Sequence, residues 1–192
     1  MKRPRDTSAM TERILETADR LFYGEGIRAI GVDRVATEAG ISKRTLYNHF
    51  ASKDDLIVAY LQRRARPARL SDADPRAQIL GLFERLGRGF ADHGFRGCPF
   101  VNAVAELGEP EHPARAIART FKQDRQAWFG VLLERMRVAD PRSLSLQLAL
   151  LLDGAIAAAL VRGDPAVALA ARDAAAVLLD AAVASQEMVA TG

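Results

Sequence analysis

Cysteine is nearly absent from this chain: Cys98 is the only one in 192 residues. An internal disulfide framework is therefore excluded, and the thiol content fits a reducing cytoplasm, where the protein is expected to work. Histidine is scarce too, and His49, His93 and His112 fall in three separate stretches, so no metal-ligand spacing exists. Runs of β-branched residues are missing while Ala, Leu and Arg are abundant, which favours helix throughout. The start, Met1 to Met10, is basic and polar with no apolar stretch behind it, so no secretory signal is expected. There is no Gly-rich phosphate loop, no nucleophile motif and no paired His/carboxylate spacing, so neither an enzyme nor a cofactor is expected.

What the chain does have is an ordinary globular balance, 49% apolar and 27% charged residues. Its net charge of +3 is unevenly placed: Met1 to Arg66 carries 13 Lys/Arg against 9 Asp/Glu, and the remainder 14 against 15. The basic excess thus sits in the first third, as expected where phosphate is met, although a solvated basic face reads the same way. Beyond Pro67 lysine shrinks to Lys122 alone and alanine rises. Leu144 to Val161 approaches the length of a membrane span, but it contains Gln147 and Asp153 and its second half is rich in alanine. It reads as a buried interface helix, not a membrane segment.

Helix punctuation organises the rest. Met1-Lys-Arg-Pro-Arg5 reads as a disordered basic arm, and Thr11 as the N-cap of a first helix stopped by Gly24 and Gly26. Further helices are predicted from about Val32 to Ala39, from Ser42 to near Phe50, and from Lys53 to Arg66, where Pro67 closes the last. Asp74-Pro75, Asp140-Pro141 and Asp164-Pro165 each pair a capping residue with one suited to a first turn, predicting helices near 75–92, 141–162 and 165–185. His112-Pro113 opens another, running to about Arg137, and a shorter one follows Pro99. The fold class is all-α with about nine helices.

The stretch Val32 to Phe50 carries the functional argument. Ala36 is small where two steeply crossing helices approach, Gly40 suits the left-handed turn four residues on, and Ser42 caps the next helix. Val35, Ala39, Ile41, Leu46 and Phe50 form an apolar seat for this pair. The outward positions Lys43, Arg44, Thr45, Tyr47, Asn48 and His49 all donate hydrogen bonds and none is acidic, a surface suited to a major groove. A plain helical hairpin with a polar face is the bland alternative; spacing, cap, acid-free face and basic arm together argue against it.

From Ile14 to Leu61 the sequence resembles the tetracycline-repressor (TetR) family. The residues that carry the likeness include Ala18, Leu21, Phe22, Gly26, Val32, Ala36, Ala39-Gly40, Ser42, Thr45-Leu46-Tyr47, His49-Phe50, Lys53 and Leu56. The resemblance implies that Thr45, Tyr47, His49 and Lys53 touch DNA phosphates, and that Lys43, Arg44 and Asn48 lie nearest the base edges. One departure is visible: relatives usually place Thr or Ser before the second helix, where this chain has Ile30-Gly31. The implied organisation is an arm and helix-turn-helix domain over 1–52, a connecting helix over 53–66, and a ligand-binding and dimerisation domain over 67–192. The expected partners are a double-stranded DNA operator, a second copy of the chain and a small-molecule effector.

Most large aromatics fall between residues 83 and 129. They read either as core filling or as an aromatic-lined cavity, which the resemblance assigns to this region. Candidate pocket residues are Phe83, Phe90, Phe100, Phe121 and Trp128, with His93, Asn102, Gln126 and Asp153 as polar groups. A buried Asp153 would be costly unless paired or serving a ligand. In the last two helices Leu148, Leu151, Leu152, Ala155 and Ala159, then Ala168, Ala171, Ala175, Leu178 and Ala182, form faces that suit either a four-helix interface between two copies or the chain's own core. Cys98 stands beside a helix start, either as a reactive thiol sensing oxidants or electrophiles or as a small residue filling a gap. Three readings follow: a ligand-released repressor on a palindromic operator, a helical enzyme binding an anionic substrate, and an architectural DNA binder.

Overall fold

The computed structural model describes residues 4–190, with side chains followed from residue 8 to residue 184. Among the described residues there are nine α-helices and no strand: α1 Pro4–Glu25, α2 Val32–Glu38, α3 Lys43–Tyr47, α4 Lys53–Arg64, α5 Pro75–Phe90, α6 Pro99–Leu107, α7 Pro113–Arg135, α8 Pro141–Arg162 and α9 Val167–Ala190. The Asp-Pro pairs explain two of the starts. Asp74 accepts the N–H of Ala77 at 2.7 Å, and Asp140 that of Ser143 at 3.0 Å. The third pair differs: Asp164 accepts from Ala166 at 2.9 Å, and a turn intervenes before α9 begins at Val167. His112 serves α7, its Nδ1 accepting the Ala114 N–H at 3.0 Å.

α1 starts well ahead of the expected cap at Thr11. Proline suits a first helical turn, and from Pro4 onward no glycine or second proline interrupts the run before Gly24. Residues 1–3 of the expected basic arm lie outside the described residues, whereas Pro4 and Arg5 are helical.

Packing divides the chain into two units. Residues up to Arg66 join Pro99–Arg119 in one, and Pro67–Cys98 joins Thr120 onward in the other. In the first unit Ile14, Ala18, Leu21, Leu46, Leu56 and Leu61 are fully buried, and Phe22 meets the Tyr60 ring edge-on at 5.6 Å. Arg64 grips Asp19 with two guanidinium nitrogens and stacks 4.1 Å over the Tyr23 ring, holding α4 on α1. α6 adds Phe100 and Ala103 to the buried set, and Glu106 accepts the Arg28 N–H at 2.9 Å. Gly26, at φ +100°, makes that approach possible, because a Cβ there would lie 3.1 Å from the Glu106 carboxylate.

The second unit buries Phe83, Phe129, Leu132, Leu133 and Leu148 completely. α5 and α9 come close at Gly87, where a Cβ would stand 3.2 Å from that of Ala168. The segment before α5 is pinned to α7, with Trp128 Nε1 donating to the Arg69 carbonyl and Arg135 to that of Ser71. Most of the small-residue faces of α8 and α9 belong to this core. Leu148, Leu152, Ala155, Ala159, Ala168, Ala171 and Ala175 are buried within the chain itself, because small side chains let α5, α8 and α9 approach closely. The exposed large apolar residues of α8 and α9 are another set: Leu146, Leu150, Leu160, Val161, Leu169, Val177 and Val183. α8 is long and apolar enough to cross a membrane by length and composition, and only 33% of its most apolar stretch is buried inside the chain.

Candidate nucleic-acid interface

The turn between α2 and α3 is built by its sequence. Gly40 takes φ +66°, its N–H donates to Thr37 O, and the Ile41 N–H donates to Ala36 O, each at 3.0 Å. This pair of bonds is the Schellman arrangement, which satisfies carbonyls at the end of α2 while the left-handed glycine turns the chain. Ser42 then accepts the Thr45 N–H at 3.0 Å, and its hydroxyl also meets that of Thr45 at 2.9 Å. Leu46 is fully buried and Phe50 nearly so, seating α3 on the unit's core.

Six of the seven expected DNA-contact residues come together on α3 and the turn after it. Lys43, Arg44, Tyr47 and Asn48 are exposed, and Thr45 and His49 are half-buried. Arg44 makes no side-chain hydrogen bond or ion pair with a described residue, so its guanidinium is available. Lys43 is engaged at 2.8 Å by Asp33 of α2, which holds its pKa above the usual lysine value. His49 Nδ1 lies 2.9 Å from the Thr11 hydroxyl, tying the end of α3 to α1. Lys53, in the first turn of α4 behind the Ser52 cap, donates to the Ile27 carbonyl at 2.7 Å. Its partial burial pushes its pKa below the ordinary lysine value, and Asp54 and Glu106 oppose that shift.

The candidate pocket residues divide between the two units. Phe83, Phe90 and Trp128 are buried in the second unit's core, and Phe121 and Gln126 are half-buried on α7. Asp153 is neither buried nor unpaired: its side chain is 41% exposed and its carboxylate is bound to Lys122. His93 is exposed after α5. Phe100 and Asn102 lie on α6, in the first unit. Cys98 is half-buried just ahead of α6.

Comparison with known proteins agrees with this geometry. Residues 14–60 match the family described as bacterial regulatory proteins, tetR family. A TetR-family transcriptional regulator from Streptomyces coelicolor superposes with a TM-score of 0.82 at 34% identity, over 92% of this chain and 97% of that one. This chain belongs to the TetR family. A second TetR-type transcriptional regulator, from Streptomyces avermitilis, is 37% identical with a TM-score of 0.80, over 90% and 97% of the two chains. The HTH-type transcriptional activator FasR of Mycolicibacterium smegmatis is 30% identical over 115 residues, so this chain spans about half of that relative's length.

In this TetR-family regulator Ile30-Gly31 offers α2 no hydroxyl cap. Gly31 is the N-cap of α2 and makes no side-chain bond to it, so only backbone amides could meet a phosphate there. Two contacts were not expected from sequence, Asp33 on Lys43 and Glu106 on Arg28. The first joins neighbouring helices, and the second joins residues far apart in the chain. Neither leaves a periodic or spacing signal.

Proposed function

We propose that this TetR-family regulator is a cytoplasmic, homodimeric repressor that binds a palindromic operator and is released by a small molecule. The observation that carries the DNA-binding part is the acid-free outer face of α3, with Arg44, Tyr47 and Asn48 exposed on a capped helix. In this reading residues 1–52 meet DNA, 53–66 connect, and 67–192 bind the effector and the second copy. Lys43, Arg44 and Asn48 read bases, and Thr45, Tyr47, His49 and Lys53 hold phosphates. The dimer is supported by an apolar groove of about 920 Å³ between α8 and α9, lined by Leu150, Gly154, Ala158, Ala174 and Val177. Leu150 and Val177 there are 62% and 68% exposed in the single chain. An uncovered apolar surface of that kind marks an association site. The thiol-sensor alternative for Cys98 draws no support from the relatives and has no part in the proposal.

Selecting bound sequences from a random DNA pool tests the whole reading. An enriched short inverted repeat is expected. Binding without enrichment would indicate an architectural binder, and no binding would leave only an enzyme or another role. FasR is named an activator; a reporter gene behind the selected site should rise in expression on deletion of the regulator, and a fall would reverse the sign assigned here.

On the selected site, Arg44→Ala should relax sequence preference at one position, costing about 1–3 kcal/mol against the preferred base. Retention of full preference would remove Arg44 from base reading. Lys53→Ala should instead weaken all sequences alike and lower the salt slope by about one. Competition titrations at several salt concentrations distinguish the two patterns.

A further inference from the structure

α7 turns one face toward the core of the second unit, and its charges are unevenly matched there. Phe121, Arg125 and Phe129 recur at intervals of four residues on that face, and Phe129 is completely buried. Arg125 is half-buried, its guanidinium 5.6 Å from the Phe121 ring, and makes no hydrogen bond or ion pair with a described residue. Arg85, exposed on α5, is near enough for its like charge to act on Arg125. The carboxylates that could neutralise them are already engaged: Asp153 of α8 holds Lys122, and Glu84, the neighbour of Arg85, accepts from Arg172 at 2.8 Å. Lys122 and Arg125 therefore depend on one carboxylate, that of Asp153.

Arg64 shows what a half-buried arginine looks like when its role is structural. It has a two-point grip on Asp19 and a stacked tyrosine, and its pKa is raised. Arg125 has the opposite environment: burial and the Arg85 charge push its pKa down, offset only by Asp153 and Cys98. Partial burial and the nearby like charge both disfavour the Arg125 guanidinium, and an anion bound there would offset both costs.

We propose that Arg125, Arg85 and Lys122 form the charged wall of the effector site, and that the effector is an organic anion whose apolar or aromatic body lies against Phe121. This rests on the reading of the second unit as the effector-binding one. Guanidinium forks match the planar or tetrahedral oxygens of a carboxylate, sulfonate or phosphate, and Phe121 offers the adjoining apolar surface.

Two fluorescent probes test it on the full chain: anilinonaphthalene sulfonate, and phenyl-naphthylamine, which has the same aromatic frame without the charge. The sulfonate should bind the wild type more tightly than the neutral amine. Arg125→Met and Arg85→Met should each weaken the sulfonate by about tenfold or more and leave the neutral probe unchanged. The melting temperature of Arg125→Met should equal or exceed that of the wild type, since no ion pair is lost. Should Arg125→Met fail to fold, Arg85→Met, at an exposed position, carries the test alone. Binding of both probes with no loss for the sulfonate in the folded variants overturns the anion site and leaves the effector-binding reading standing. Binding of neither probe to the wild type overturns both.

Discussion

Leu150→Glu combined with Val177→Glu is expected to give a folded monomer that binds the selected operator about 10²–10⁴-fold more weakly than the wild type. Both side chains are well exposed on the single chain, so the fold loses little when they become charged. In the proposed dimer they would be buried, and four carboxylates would have to be desolvated close together. Each monomer would then meet one half-site without the second recognition helix tethered beside it. The loss is therefore an avidity loss and should leave affinity for an isolated half-site unchanged. Sedimentation velocity and operator titration check the two halves of this expectation. A double variant that still sediments as a dimer places the interface elsewhere.

Leu152→Glu, two positions along the same helix, should behave in the opposite way and abolish cooperative folding of the second unit. Leu152 is 5% exposed within the core that contains Phe129, Leu132 and Leu148. A glutamate there must either ionise in an apolar surrounding or remain protonated at neutral pH. Documented buried glutamates shift upward by about four units, on the order of 6 kcal/mol, before the lost leucine packing is counted. That is comparable with the whole stability of an ordinary domain. Thermal unfolding followed by far-UV circular dichroism should show a broad transition or none, with the protein recovered mainly as aggregate. A sharp melt near that of the wild type would mean that Leu152 is not in the core.

These two variants also mark where the sequence was readable and where it was not. Caps and turns were legible because their chemistry is local: Asp74, Asp140 and Ser42 bond the amides three residues on, and Gly40 adopts the left-handed turn. The helix-turn-helix and the outward residues of α3 followed from those signals. The two faces of α8 were not separable, because apolar residues occur on all sides of that helix and spacing cannot say which side meets the chain's own core. The early start of α1 was hidden for a related reason, since Pro4-Arg-Asp-Thr-Ser8 has no apolar spacing in its sequence to signal a helix. Of the candidate pocket, the large aromatics were visible as a cluster in sequence. The pairing of Asp153 with Lys122 and the position of Arg125 depend on which helices meet, and no local pattern encodes that.

The division of the chain has a consequence for its synthesis. The first unit is discontinuous: α6 and the start of α7 belong to it, with Glu106 on the Arg28 amide, although some thirty residues of the other unit are translated in between. At about 5–20 residues per second, the stretch from Arg66 to Arg119 takes on the order of seconds to emerge. During that interval the helix-turn-helix exists on the ribosome without Phe100, Ala103 or Glu106, and the surface they later cover stands open. Nascent chains stalled before and after residue 119 should therefore differ in protease resistance within α1 to α4. The shorter chain should be cut readily near Gly26, where the absent Glu106 leaves the loop unanchored.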